Sequence, residues 1–547
     1  MDNHNHQDFP SYDAIIVGAG FSGMYMLYRL RERGLKVRVF EKGAGVGGAW
    51  YWSRYPGARC DSESHTYNFT FSETLYEEWS WRSRYPTQPE ILEYLNFVAD
   101  RLQLREDIEL ETEIRAAHFD EEITQWRVFL QDGRQLICKY FITAVGCLSA
   151  HAKNIPKIPG YSQYKGESYH TGTWPHHEVD FHGKKVGIIG NGSSGIQSLP
   201  VIAETAAEVY SFQRTPQYAI PAQNHPYTEE EINEYKANRL DTRKKMFQSH
   251  TGYPFFSRPF SALEENQYKR QEVYETAWKK GGFEISATYN DLLINETSNE
   301  TLSQFVRDKI KQVVKDQSLA EKLLPTYPIA TKRLVLDTNY YESFNLPHVH
   351  FVDVKAAPIT QFSEKGICTT GREYPLDMVV FATGYDGMTG PLLTMDIKGR
   401  GGESLKEKWE HGANVSTYLG VATNLFPNMF MITGPQSPSV ATNMPTSIEQ
   451  HVDWIDRFIA YIEAEGLEMV EANAQQEETW RIHCEEVYRQ TLYSKTPSWY
   501  SGANVEGKPE AFLIYLGGLG QYGKILENCA TSEYSGFDQH SSITKSM

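Results

Sequence analysis

"YDAIIVGAGFSGMYMLYRLRERGLKVRVFEKG", residues 12–43, is the stretch on which the fold turns. An apolar run from Ala14 to Val17 reads as a buried strand. It meets Gly18-Ala19-Gly20-Phe21-Ser22-Gly23 and hands over to a helical pattern that stops at Gly34. A second alternating strand ends at Glu41, so strand, turn, helix and strand make one complete βαβ unit.

Each glycine of a G-x-G-x-x-G turn answers a steric demand. The first permits the tight turn, the second lets the backbone approach a pyrophosphate, and the third lets helix pack on strand. The helix N-terminus then faces the phosphates. Alone the motif is a weak signal; between two strands and opening a helix it is a strong one.

Working outward, "KKVGIIGNGSSGIQSLPVIAETAAEVYSFQRT" (184–215) repeats the scheme with Gly190, Gly192 and Gly195. Pro200 falls inside its helical pattern and predicts a kink or a short first helix. The two units end differently. Glu41 stands 23 residues after Gly18, where a carboxylate accepts hydrogen bonds from ribose hydroxyls. Arg214-Thr215 stands 24 residues after Gly190, and a cation there favours a 2′-phosphate, hence NADP over NAD. The competing reading of Arg214 is a plain surface charge at a strand end.

An adenine dinucleotide in one unit and NADPH in the other imply a bound flavin reduced by hydride. Disulfide reductases share that plan but need a redox cysteine pair just after the first unit. The six cysteines (Cys60, Cys138, Cys147, Cys368, Cys484, Cys529) show no C-x-x-C spacing. Flavin reductases and flavin monooxygenases remain. The scattered cysteines suit a reducing cytoplasm and supply no zinc site, and no metal is expected.

Two more apolar runs, "KYFITAVGC" and "LDMVVFATGYD", end in a small residue and Gly146 or Gly384, and read as strands leading to domain crossings. Between Tyr227 and Leu323 charged, helix-favouring segments such as "TEEEINEYKANRLDTRKKMFQ" take over. The expected architecture is α/β, with two Rossmann-like dinucleotide-binding domains and a helical insertion in the second. The expected FAD-binding domain comprises 1–148 and 386–547, the NADP-binding domain 149–222 and 331–385, and the insertion 223–330. The polar segment after Gly536 reads as a disordered tail.

Lys plus Arg number 53 against 70 Asp plus Glu, a net charge of −17 that argues against general affinity for nucleic acid or anionic membrane. No run of about 18 apolar residues exists to span a bilayer. "MDNHNHQDFPSYD" lacks the basic-then-apolar order of a secretory signal. A cytoplasmic enzyme, monomeric or weakly oligomeric, is expected.

"YKGESYHTGTWP" (164–175) lies between the two glycine loops and belongs to neither. Its Tyr164, Gly166, His170, Trp174 and Pro175 resemble the fingerprint F-x-G-x-x-x-H-x-x-x-W-P/D of type I Baeyer–Villiger monooxygenases, with Tyr for the leading Phe. "GGAWYWSRYPGARCDSES" (47–64), "TKRLVLDTNYY" (331–341), "FATGYD" (381–386) and "SWYSGANVEGKP" (498–509) agree with the same family. The likeness runs from Tyr12 to about Phe537 and is closest to the branch of phenylacetone, cyclohexanone and steroid monooxygenases.

The resemblance implies that NADPH reduces FAD, that oxygen adds to the flavin, and that the resulting peroxide converts a ketone to an ester or lactone. It implies Arg333 as the catalytic cation, held by Asp61. A guanidinium suits that task because it stays charged and offers several donors in a fixed fork. By pattern alone Asp61 would read as a helix cap, since Ser and Glu follow it. Further FAD contacts implied beside Gly18, Gly20, Gly23 and Glu41 are Ser22, Ala49, Trp50, Tyr51, Trp52, Asp61, Tyr67 and Met444. The aromatics among these compete with a simple core reading.

NADP contacts implied beside Gly190, Gly192, Gly195, Arg214 and Thr215 are Arg59, Cys60, Ser193, Ser194, Gln197, Lys332 and Arg333. Trp499 is implied on a mobile loop that closes over NADP. Within "GPQSPSVATNMPTSIEQHVDW" (434–454), residues 439–441 are expected to shape the ketone pocket. Family architecture makes His170 a hinge between nucleotide domains, with a structural turn as the competing reading. Runner-up functions are a flavin N- or S-monooxygenase, a related class that usually lacks the Trp, and a flavin-bound redox sensor without turnover.

Overall fold

The computed structural model describes residues 9–149 and 153–541. Two parallel-rich sheets dominate. In the first, strands follow the order Asp396–Lys398, Ile114–Asp120, Gln125–Leu130, Gln135–Thr143, Ser11–Val17, Val37–Phe40 and Ile108–Glu109, with Met429–Met431 also paired to Gln135–Thr143. In the second, the order is Val349–Asp353, Glu208–Gln213, Lys185–Ile189, Met378–Phe381 and Glu167–His170, every pair parallel.

Burial explains the strand sequences. Gln125–Leu130 alternates half-buried and buried residues, as an antiparallel strand with one covered face must. Met378–Phe381 is buried throughout, as a central parallel strand between helical layers must be. The C-termini of Ser11–Val17 and Lys185–Ile189 each open into a glycine turn and then a helix, Phe21–Glu32 and Ser193–Ala203. Ligands bind open α/β sheets outside those strand ends.

Helices Glu229–Ala237, Arg239–Gln248, Gln267–Lys280, Glu296–Val313 and Gln317–Lys322 occupy the charged middle of the chain. Their starts are locally encoded. Thr228 and Glu231 form a reciprocal capping box, and the Asn266, Asn295 and Asp316 side chains accept from backbone N–H groups one turn on.

Three expectations need correction. The helix Ser193–Ala203 continues through Pro200 instead of ending before it. The segment of the fingerprint is more than a connection, because Glu167–His170 is the edge strand of the second sheet, in register with Met378–Phe381. The tail after Gly536 is ordered as far as Ser541, since Phe537–Ser541 pairs antiparallel with Leu467–Ala472. Phe537 supplies the reason: its ring packs on Phe458 at 4.6 Å and on Trp454 at 6.0 Å, burying apolar area that a free tail would expose. Residues 542–547 of the expected tail, and residues 1–8 of the segment read for a secretory signal, lie outside the described residues.

Candidate active site

The first unit builds one floor of a cavity. Gly18 turns the chain at φ 101°, and the helix beginning at Phe21 has Gly20 at its cap with no side-chain hydrogen bond. Its first N–H groups are therefore available to an anion. Glu41, buried at the end of the second strand, accepts from the Ala19 N–H at 2.8 Å and the Gly43 N–H at 2.7 Å. Burial raises its pKa, and these backbone donors pull it back.

The second unit repeats the geometry with a useful difference among its glycines. A Cβ on Gly195 would lie 2.3 Å from the Gly190 carbonyl oxygen, whereas one on Gly192 would meet nothing within 4 Å. Gly195 closes helix on turn; Gly192 faces open space. Gly23 repeats the role of Gly195, its Cβ falling 1.8 Å from the Gly18 oxygen. Neither Gly23 nor Gly195 reaches the cavity wall.

Beyond the second turn, the Asn191 Nδ2 donates to Gln213 Oε1 at 2.9 Å and to the Thr215 carbonyl at 2.8 Å, fixing the strand end that carries Arg214. Lys332 shares the wall. Burial, then the charge of Arg214, lowers the Lys332 pKa. Among the described residues neither cation makes an ion pair, so two positive charges converge with no carboxylate between them.

Residues 47–61 span the gap between the two units. Gly47 N–H donates to the Ala19 carbonyl at 3.0 Å, which ties this segment to the first glycine turn. Tyr55 donates to Gln197 Oε1 at 2.7 Å, and Gln197 Nε2 donates back to the Arg59 carbonyl at 3.2 Å. Ser53 and Tyr385 hydroxyls meet at 3.0 Å. Trp50 Nε1 donates to the Tyr67 hydroxyl at 3.0 Å with the rings edge-on, and both residues line the cavity. Ala49, Trp52, Arg59, Cys60 and Ser22 line it too.

Tyr51 departs from its expected role. It is off the cavity wall, packing under Gly43 and Gly45, accepting from the Ala44 N–H at 3.1 Å and lying 4.9 Å from the His176 ring. In the single helical turn Ala49–Trp52, successive side chains point about 100° apart, so Tyr51 cannot share a direction with both neighbours.

Arg333 and Asp61 meet at the centre. Arg333 Nε donates to Asp61 Oδ2 at 3.0 Å, and Nη2 donates to Oδ1 at 2.7 Å and Oδ2 at 2.8 Å, a bidentate fork. Nη1 donates to the Val440 carbonyl at 3.0 Å, which ties the guanidinium to the buried turn Ser439–Ala441. Burial by itself would depress the Arg333 pKa. The charge of Asp61, the neighbouring Tyr500 and Tyr253 and the hydrogen bonds to Asp61 together outweigh it and hold the group well above the ordinary arginine value. The guanidinium carbon lies 5.8 Å from the centre of the Phe283 ring.

These pieces enclose one cavity of about 1180 Å³. Gly18, Gly20, Glu41, Asp61, Gly190, Gly192, Ser193, Ser194, Gln197, Arg214, Thr215, Lys332, Arg333, Met444 and Trp499 stand on its wall. Tyr164, Gly166, His170 and Trp174 do not. Tyr164 donates its hydroxyl to the Leu376 carbonyl at 3.1 Å, which gives the Tyr-for-Phe exchange a partner. A Cβ on Gly166 would strike that hydroxyl at 2.2 Å. Trp174 is buried against Tyr169 at 5.2 Å. His170 Nδ1 accepts from the Gly172 N–H at 3.0 Å, and burial, then the charge of Lys153, lowers its pKa to about 4.

Sequence reading passed over Asn191, Asn154, Tyr385 and Asn504. Only Asn191 carried a local signal, as the second residue of G-N-G. Asn504 lines the cavity; its Nδ2 donates to the Tyr385 carbonyl at 2.7 Å, and its buried Oδ1 has no partner.

The residues fit two dinucleotides. Two helix N-termini lack side-chain caps, and Gly192 leaves a hollow that a Cβ would fill. Arg214 and Lys332 offer positive charge to a phosphate, and the Asn504 side-chain Oδ1 has no donor.

A family model described as an NAD(P)-binding Rossmann-like domain matches residues 16–79. The chain is 41% identical to a phenazine N-monooxygenase of Lysobacter antibioticus, covering 98% of each. It is 40% identical to a Baeyer–Villiger monooxygenase of Pseudooceanicola batsensis, over 96% of this chain and 95% of that one. Among solved structures, oxidized steroid monooxygenase bound to NADP is 44% identical, with a TM-score of 0.92 over 97% of this chain and 99% of that one. Other solved relatives are complexes with both FAD and NADP.

Proposed function

The chain belongs to the FAD- and NADPH-dependent Baeyer–Villiger monooxygenases, which insert one oxygen atom of O2 beside a ketone carbonyl, and from that membership we propose that Arg333 and Asp61 form the charged pair around which it does so. The observation that carries this reading is the bidentate fork between them, set on a cavity wall shared by both nucleotide units.

FAD, reduced by NADPH when both are bound, supplies the chemistry that activates oxygen. The protein's part is electrostatic. A ketone carbonyl attacked beside Arg333 gathers negative charge on its oxygen, and a guanidinium already desolvated and oriented stabilises that charge without reorganising. Asp61 sets the orientation and keeps the cation in place. Val440 fixes the third corner, so a change of shape at 439–441 moves both Arg333 and the ketone wall.

Glu41 would take the FAD ribose, and the turns at Gly18-Ala19-Gly20 and Gly190-Asn191-Gly192 the two pyrophosphates. Arg214 and Lys332 would take the 2′-phosphate of NADPH. Trp50, Tyr67 and Met444 would confine the flavin, while Trp499 would cover NADP. The two sheets support assigning 1–148 and 386–547 to FAD, 149–222 and 331–385 to NADP, and 223–330 to an insertion.

Among the described residues no helix is long and apolar enough to cross a membrane. All six cysteines are free thiols, which supports a place in the cytoplasm; a monomer or weak oligomer there would be read by size-exclusion chromatography with light scattering.

The likeness to a phenazine N-monooxygenase gives a second reading, oxygenation of an aromatic nitrogen. Incubation of the enzyme with NADPH and a panel of ketones and nitrogen heterocycles, followed by mass spectrometry, separates the two by product. Arg333→Ala is expected to bind FAD and consume NADPH yet form no ester. Ester formation at the wild-type rate by that variant would remove Arg333 from the mechanism.

A further inference from the structure

Residues 497–509 supply Pro497, Ser498, Trp499, Ala503 and Asn504 to the cavity wall with a single helical turn, Trp499–Ser501, as regular structure. Such a segment needs side-chain ties to keep its shape. One tie stands out. The Lys508 stem lies between Gly502 and Gly412, where an added Cβ would come within 3.2 and 3.3 Å of its methylenes. Its ammonium pairs with Asp386 Oδ1 and donates to Thr389 Oγ1 at 2.7 Å, and only 6% of the side chain is exposed.

The acceptor segment is the one on which the tryptophan rests. A Cβ on Gly387, next to Asp386, would lie 3.0 Å from Trp499 Cε3. Asn504 donates to the neighbouring Tyr385 carbonyl, and Asn154 Nδ2 donates to the Asn504 carbonyl at 2.8 Å. Segments 153–154, 383–389 and 497–509 are thus knitted at one corner, with Lys508 as the only charged stitch named among them. Burying an ammonium is expensive for stability alone, and an apolar side chain of similar volume is often no worse. Selection for position explains its presence better than selection for stability.

We propose that Lys508 is a positioning residue for the oxygen-insertion reaction: clamped on Asp386 and Thr389, it holds Trp499 and Asn504 on the cavity wall and so keeps bound NADP in place and water out. The proposal rests on the functional reading above. The test uses the full-length, FAD-loaded enzyme with Lys508→Met, which keeps an unbranched stem without charge, with Asp386→Asn, and with Lys508→Arg as the conservative control.

The Michaelis constant for NADPH is expected to rise about tenfold in the first two, as for loss of a charged hydrogen bond. Hydrogen peroxide released per NADPH should rise and ester fall, while proteinase K should cut within 493–510 faster than in the wild type. Lys508→Arg should restore coupling in large part. A lower unfolding temperature with unchanged Michaelis constant, coupling and cleavage would reduce Lys508 to a structural pair and overturn the proposal. Should Lys508→Met fail to fold, Thr389→Val removes one acceptor at constant volume and should show the same signature at smaller size; wild-type coupling and cleavage there would overturn it equally. Wild-type enzyme that oxidises NADPH without ester or N-oxide would refute the functional reading instead, and the cleavage comparison would still judge the clamp.

Discussion

Arg214 and Arg333 carry the same guanidinium and do different work because one has a carboxylate and the other does not. Asp61 takes two edges of Arg333, so that cation is fixed before any ligand arrives. Arg214 stands exposed at the cavity rim beside Lys332, with no ion-pair partner among the described residues. Arg214→Ala is therefore expected to raise the Michaelis constant for NADPH by about tenfold or more and leave NADH use nearly unchanged. Equal losses with both nucleotides would deny the 2′-phosphate role. At this scale the sequence was legible for position: Glu41 and Arg214 stand on the cavity wall at the ends of the two glycine units, as their spacing required. It was mute at Asn504, whose orphan oxygen is aimed by a hydrogen bond to Tyr385, 119 positions away in the chain. Tyr51 shows the converse, a residue in a telling motif that turns away to hold its own loop.

Strand, turn and helix make a unit in which three glycines look alike on paper and differ in space. Gly192 opens onto the cavity, and Gly195 is pressed against the Gly190 carbonyl. Gly192→Ala should leave the unfolding temperature within a degree or two of wild type and weaken NADPH binding, since its methyl enters ligand space. Gly195→Ala should instead destabilise the fold by about 1–3 kcal/mol or more, because helix and turn must separate. A destabilised Gly192→Ala, or one with wild-type NADPH affinity, would contradict the assignment. Thermal melts and NADP titrations read both. Pro200 misled in the other direction, because the helix runs through it. A proline in the eighth position of an eleven-residue helix costs one hydrogen bond, which the burial of Ile196, Leu199, Ile202 and Ala203 offsets.

Among the described residues of the whole molecule, two buried histidines, His170 and His451, stay neutral far apart in the chain. Burial lowers the pKa of His451 to about 3, and burial with Lys153 lowers that of His170 to about 4. Below an ordinary histidine pKa of about 6.5 the unfolded chain takes up protons that the folded one refuses, so stability falls as pH drops from there toward 3. His451 contributes a loss on the order of 4 kcal/mol over that range. Glu449 opposes it: burial raises its pKa to about 6, so the folded state binds a proton first and gains as pH falls through that value, by roughly 2 kcal/mol. Asp337, raised by burial to about 7, acts in the same sense as Glu449, so the part of His451 is read by comparing its variant with the wild type. In urea titrations between pH 6.5 and 4, His451→Asn, whose amide oxygen can replace Nδ1 as acceptor for the Thr433 N–H, is expected to lose stability less steeply than the wild type. Parallel slopes would show that His451 does not carry the acid limb.

Local order was in the sequence because local physics writes it there. Glycine spacing, apolar runs and capping residues act over a few bonds, and they determined both dinucleotide units, the helices between Thr228 and Lys322, and the strand end that carries Arg214. The tertiary structure alone decided what lies between those units. It brought Arg333 across 272 positions to Asp61, seated Lys508 on Asp386, made the His170 segment an edge strand and drew Phe537 into an aromatic cluster. Such contacts are chosen by packing and desolvation over the whole chain, and no short window of residues holds the terms of that choice.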